Sequence, residues 1–129
     1  MIPPYKWKAN NLINLKVEEN ERYVVLHIAG ILFIDNIKET EKIWTEQVNK
    51  SPDMIAINCD KLELIDSTAI GSLVKLLNMA IARNIKLVIY DMNPAIKNLF
   101  ETAKLHNYFE ITSKEKFLKL AKTYHPAAQ

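Results

Sequence analysis

Residues 62–77 read Leu-Glu-Leu-Ile-Asp-Ser-Thr-Ala-Ile-Gly-Ser-Leu-Val-Lys-Leu-Leu, and no other stretch constrains the fold as strongly. Two periodicities meet in it. Before Asp66, the residues Leu62, Leu64 and Ile65 complete an apolar, strand-compatible segment. After it, Ile70, Leu73, Val74, Leu77 and Ile81 recur at helical spacing. Between them stand Asp66, Ser67 and Thr68, residue types whose side-chain oxygens accept the first free N–H groups of a helix. A strand that runs straight into a helix places a hydroxyl on the rim of a sheet, at the positive end of the helix dipole. The spacing predicts that Ile70, Leu73, Val74 and Leu77 face the sheet while Lys75 and Asn78 face water.

Three chemistries fit that hinge. The plainest is a helix cap and nothing more, since caps are common wherever a helix begins. A nucleophilic serine would need a histidine base and a carboxylate to orient it. A phosphoacceptor serine needs only access and an environment that tolerates a dianion, which a helix N-terminus supplies.

The flanking sequence supplies the rest of an α/β chain. Residues 12–18 alternate Ile13, Leu15 and Val17 with polar residues, as in a half-exposed edge strand. After the turn at residues 18–21, residues 22–29 are nearly all apolar and predict an interior strand covered on both sides, antiparallel to the first. Gly30 then separates this strand from a second apolar run, residues 31–34. Asn36 and Glu39 have capping-box spacing ahead of a helix over residues 37–50, with Ile37, Trp44 and Val48 on one stripe. Residues 54–59 form the next buried strand, and residues 85–90 another of β-branched character. Asn93 is placed to cap, and Pro94 to open, a helix carrying Ile96, Leu99, Phe100 and Ala103. A short strand at residues 108–111 precedes a Thr112–Glu115 capping box. The last helix bears Phe117, Leu118, Leu120, Ala121 and Tyr124. The order β-β-α-β-α-β-α-β-α implies one α/β domain: a mostly parallel sheet of four or five strands, an N-terminal antiparallel hairpin and about four helices. Residues 1–11, with Tyr5 and Trp7, read as an N-terminal arm, residues 12–124 as the domain, and residues 125–129 as a tail.

Absences narrow the function. Only Gly30 and Gly71 are glycines, so there is no glycine-rich phosphate loop or dinucleotide turn. His27, His106 and His125 are scattered among different elements, without metal-ligand spacing to one another or to Cys59. Asp35, Asp60, Asp66 and Asp91 lie near strand ends, where carboxylates usually cap. No cofactor, metal or catalytic residue is expected, and an enzyme is disfavoured. The net charge of +2 is too small to argue for nucleic acid or an anionic membrane, and no apolar run approaches a membrane span. One cysteine in an apolar strand and a start without a signal-peptide core suit a cytoplasmic chain with a buried thiol.

Asp66, Ser67, Thr68, Ala69, Ile70 and Gly71 together resemble the signature of STAS domains, Asp-Ser-Ser/Thr-Gly-hydrophobic-Gly, placed after a central strand at a helix start. The order of elements agrees over roughly residues 12–124. One position departs: Ala69 stands where the family has glycine, and as a small helix former it leaves the helix intact. The resemblance implies a stand-alone anti-sigma factor antagonist, a signalling protein of transcription regulation. It would bind an anti-sigma factor, a serine kinase of the GHKL type, while Ser67 is unphosphorylated, and release it once Ser67 carries phosphate. A metal-dependent Ser/Thr phosphatase would reverse the switch. The alternative is a STAS-like adaptor that is never phosphorylated and works within a signalling or transport assembly. A receiver domain fits less well, because no acidic pair follows any of the early core strands.

Overall fold

The computed structural model of the chain describes residues 13–124. The expected arm with Tyr5 and Trp7, Leu12 as the first strand residue, His125 and the tail lie outside the described residues. The elements are β1 (Ile13–Glu19), β2 (Tyr23–Leu32), α1 (Ile37–Asn49), β3 (Met54–Ile65), α2 (Ser67–Ala82), β4 (Lys86–Tyr90), α3 (Pro94–Thr102), β5 (Glu110–Thr112) and α4 (Lys114–Lys122). The five strands lie side by side in chain order. β1 and β2 are antiparallel, and every later pair is parallel.

That order decides where the helices go. A crossover between parallel strands is right-handed, and each step from β2 to β5 moves the same way across the sheet. α1, α2 and α3 therefore fall on one face. There Trp44, Leu73, Leu76, Ile96 and Phe100 bury Leu26, Ile55, Ile57, Leu87 and Ile89. α4 follows the last strand and crosses to the other face, where Phe117 and Ala121 cover Val25, Met54, Ala56, Val88 and Tyr90. The Phe117 ring stacks on Tyr90 with centroids 4.6 Å apart. One helix cannot cover five strands. β2 is covered on both sides only in its first half, and His27 and Ala29 lie half-exposed beyond α4, not beneath a helix as expected.

Several expected boundaries move. β2 does not end at Gly30. That residue, at φ 102°, sits inside the strand beside one of two register shifts where β2 pairs β3, and the pairing continues to Leu32 opposite Ile65. β3 accordingly runs on from Cys59 to Ile65, so the hinge is the end of one long strand. Asn36 does not form a capping box. Its side chain accepts from Phe33 N–H (2.9 Å) and donates to the Ile31 carbonyl (2.8 Å), satisfying the loop ahead of α1 instead. Ser113, not Thr112, caps α4, because Thr112 belongs to β5 and its carbonyl accepts from Asp91 N–H. Tyr108 precedes β5 and is exposed, as are Ala103 and Leu118.

Candidate functional site

The hinge is built from Asp66 outward. Its backbone is extended, which ends β3, and its Oδ1 accepts from Ala69 N–H at 2.9 Å as the N-cap of α2. Its Oδ2 accepts from Ile34 N–H at 2.9 Å, so the same carboxylate ties the loop after β2 to the helix start. From the loop after β4, Asn93 caps α3 through Ile96 N–H and donates to the carbonyls of Leu62 (3.0 Å) and Glu63 (3.1 Å). The end of β3 is thus braced from both sides. The double duties of Asp66 and Asn93 are tertiary, and spacing alone does not reveal them.

Because Asp66 supplies the cap, Ser67 and Thr68 are left to water. Both are exposed, and among the described residues neither hydroxyl has a hydrogen-bond partner. Their own N–H groups lie in the first turn, which has no carbonyl four residues back inside the helix. Ser67 is the first residue of α2, at the positive end of its dipole. Ala69 is fully buried, so its methyl group packs into the core where glycine would leave a gap. Gly71 is exposed on the same side as Ser67, four residues on, and a Cβ there would meet nothing within 4 Å. Two apolar side chains flank the hinge: Ile34 is 64% exposed and Leu64 44%.

The buried seam of α2 is Ala69, Leu73, Leu76 and Ala80. Leu73 is inside, and Lys75 and Asn78 are outside, as the spacing predicts. Ile70, Val74 and Leu77, however, only flank the core, and Ile81 is 63% exposed. The seam is turned by roughly 90°, close to one residue step, from the stripe of large apolar residues. Two alanines let the helix lie close to the sheet, and its other flank packs against α1. There the buried Ser72 hydroxyl donates to Glu41, and Lys75 pairs with the same carboxylate at 3.4 Å. The Ser72 hydrogen bond outweighs partial burial and, with Lys75, holds the Glu41 carboxyl below its usual range.

Among the described residues no histidine is hydrogen-bonded to Ser67. His27 spends its ring on Glu18 (2.9 Å) and Asn58 (2.9 Å), His106 lies in the exposed segment after α3, and His125 is outside the described residues. The aspartates near strand ends do not gather either. Asp66 caps, Asp91 accepts from Lys114 N–H, and among the described residues no three His, Cys, Asp or Glu side chains group as a metal site. Cys59 is buried, and desolvation, then the charges of Asp60 and Asp91, push its thiol up to about 12. Among the described residues no helix is long and apolar enough to cross a membrane.

A family model described as the STAS domain matches residues 14–121, nearly the whole described chain, hinge included. The chain belongs to the STAS domain family. Solved structures repeat this STAS fold at low identity. An anti-sigma factor antagonist from Mycobacterium paratuberculosis is 17% identical, with a TM-score of 0.74 over 88% of this chain and 97% of that one. For a putative anti-sigma factor antagonist from Thermotoga maritima the values are 19%, 0.75, 81% and 92%. The phosphorylated form of the Bacillus cell fate determinant SpoIIAA gives 14%, 0.67, 84% and 99%. No curated protein matches the chain by sequence. STAS proteins of the antagonist kind are non-enzymatic regulators.

Proposed function

We propose that this STAS domain is an anti-sigma factor antagonist working as a phospho-switch, with Ser67 as phosphoacceptor. The observation that carries the reading is the division of labour at the hinge: Asp66 caps α2, so the Ser67 hydroxyl is exposed and uncommitted at the helix start. The partner is an anti-sigma factor that is itself a GHKL-type serine kinase and brings its own ATP and magnesium. A metal-dependent Ser/Thr phosphatase resets the switch, and the cycle runs in the cytoplasm. The docking surface is the exposed ridge of Ser67, Thr68 and Gly71, with Ile34 and Leu64 as apolar contacts on either side. Gly71 keeps that ridge low. The phosphorylated SpoIIAA structure shares the fold and supports a phosphorylated state of such a domain. Residues 12–124 act as the switch domain, and residues 1–11 and 125–129 as appendages.

Phosphate adds about −1.5 to −2 charges at neutral pH, and the free N–H groups of the first turn accommodate it without unfolding the domain. Partner affinity falls because the dianion must be desolvated in a contact that had accepted a neutral hydroxyl. The test is incubation with the cognate kinase and ATP, site mapping by mass spectrometry, and binding of three variants. Ser67→Ala binds and is not released by ATP, Ser67→Asp binds weakly, and Thr68→Ala is still phosphorylated. If phosphate maps to Thr68 or nowhere while Ser67→Asp binds like the parent, the reading fails and a passive adaptor takes its place.

A further inference from the structure

On the face of the sheet that α4 leaves open, three hydrogen bonds run in one direction across β3, β2 and β1. Asp60 N–H gives to Asn58 Oδ1 at 3.0 Å, Asn58 Nδ2 gives to His27 Nδ1 at 2.9 Å, and His27 Nε2 meets Glu18 Oε1 at 2.9 Å. We infer that this chain of bonds is a proton-sensitive latch: a proton taken up by His27 turns the Asn58 amide over and releases Asp60 N–H at the register shift of β3. The latch is separate from Ser67 and does not rest on the switch.

Donor logic fixes the resting state. A backbone N–H only donates, so the Asn58 atom facing Asp60 N–H is the oxygen, and the amide nitrogen faces His27. An amide nitrogen accepts nothing, so His27 Nδ1 is the acceptor and carries no proton. The single proton of the ring therefore sits on Nε2 and goes to Glu18, whose other oxygen accepts from Asn20. Burial works to raise the Glu18 carboxyl, but the hydrogen bonds from His27 and Asn20 outweigh it and hold the group below its usual range.

A second proton, taken from water, goes onto Nδ1, where it faces the Asn58 amide donor against donor. Swinging the ring out would break the bond to Glu18, which strengthens once the ring is charged. The Asn58 side chain is 8% exposed and has two discrete settings; turning it over offers its oxygen to Nδ1–H. Its nitrogen then faces Asp60 N–H, which gives up its bond and turns to water, since Asp60 is exposed. The release falls at a weak point of the ladder. His27 lies opposite Asn58 and Ala29 opposite Lys61, so β3 carries an extra residue between them, on the strand that ends at the hinge. The other charged groups about the ring are Lys16, opposite it on β1, and Asp60 and Lys61 on β3. Among the described residues α4 adds none, because it covers only the first half of β2. Lysines and carboxylates ordinarily titrate outside roughly pH 5–8, which leaves the histidine as the group that changes charge there.

The experiment is NMR on the isotope-labelled full chain. At about pH 8, long-range proton–nitrogen correlations of the His27 ring should show the Nε2–H form. Between about pH 8 and about pH 5, the Asp60 amide should lose about fivefold of its protection against exchange, once the ordinary pH dependence of exchange is removed, with the midpoint of the His27 ring. His27→Gln identifies the ring signals and should abolish the Asp60 response. Asn58→Asp gives both donors a carboxylate to share, so Asp60 N–H should stay protected while His27 still titrates. The inference is overturned if the neutral ring carries its proton on Nδ1, if Asp60 keeps its protection through the His27 titration, or if Asp60 in either variant responds as in the parent.

Discussion

Replacing Asp66 separates the scaffold of the hinge from its chemistry. The carboxylate accepts two backbone N–H groups, from Ala69 and Ile34, each at 2.9 Å. Loss of an N-cap costs about 1 kcal/mol. The Ile34 bond goes to a charged acceptor but is exposed, so water replaces much of it, and about 1 kcal/mol is a fair share. Asp66→Ala should therefore lower the unfolding free energy by about 2 kcal/mol, while a domain with roughly 5–15 kcal/mol in hand stays folded. Asp66→Asn keeps one accepting oxygen, turns an amide nitrogen toward the other N–H and loses the charge at the dipole. Its cost should be about 1 kcal/mol. Urea titration followed by far-ultraviolet circular dichroism gives both values, provided that the slopes with denaturant stay equal. A loss below about 0.5 kcal/mol for Asp66→Ala would show that water replaces the carboxylate freely. The braced hinge, and with it the account of why Ser67 is left free, would then be wrong.

The turned seam of α2 predicts that Leu76→Ala costs about 2–5 kcal/mol, whereas Ile81→Ala changes stability by less than about 0.5 kcal/mol; equal losses on denaturant titration would restore the stripe of large residues. Cys59 should resist iodoacetamide in the native protein at pH 8 and react once unfolded, because burial holds its thiol up at about 12; rapid native labelling would place it at the surface. Ser72→Ala should cost about 1 kcal/mol at neutral pH, a charged hydrogen bond partly offset by alanine's helix propensity. Glu41 lies below its unfolded value when folded, so its stabilisation is present above the ordinary carboxylate range and fades as pH falls through the lowered value. The Ser72→Ala deficit should shrink along with it, and a deficit that stays constant down to pH 3 would exclude Glu41 as its source.

What the sequence determined by itself is local. The order of elements follows from periods of two and 3.6, the start of α2 from Asp66, and the start of α3 from Asn93 followed by Pro94, because each depends on atoms a few residues apart. The resemblance at residues 66–71 marked Ser67 for the same reason: the arrangement is contiguous. Tertiary structure decided whatever needed a second element. Asn36 turned to the loop before α1, because Phe33 N–H and the Ile31 carbonyl lay within its reach. Gly30 stayed inside β2 because β3 runs beside it with two register shifts, which no single strand can announce. The helix stripe turned toward Ala69 and Ala80 because α2 must satisfy the sheet and α1 together, and close approach favours small side chains over large ones. His27 and Ala29 lie half-exposed because three right-handed crossovers leave α4 alone on the far face, a consequence of strand order that appears in no window of the chain.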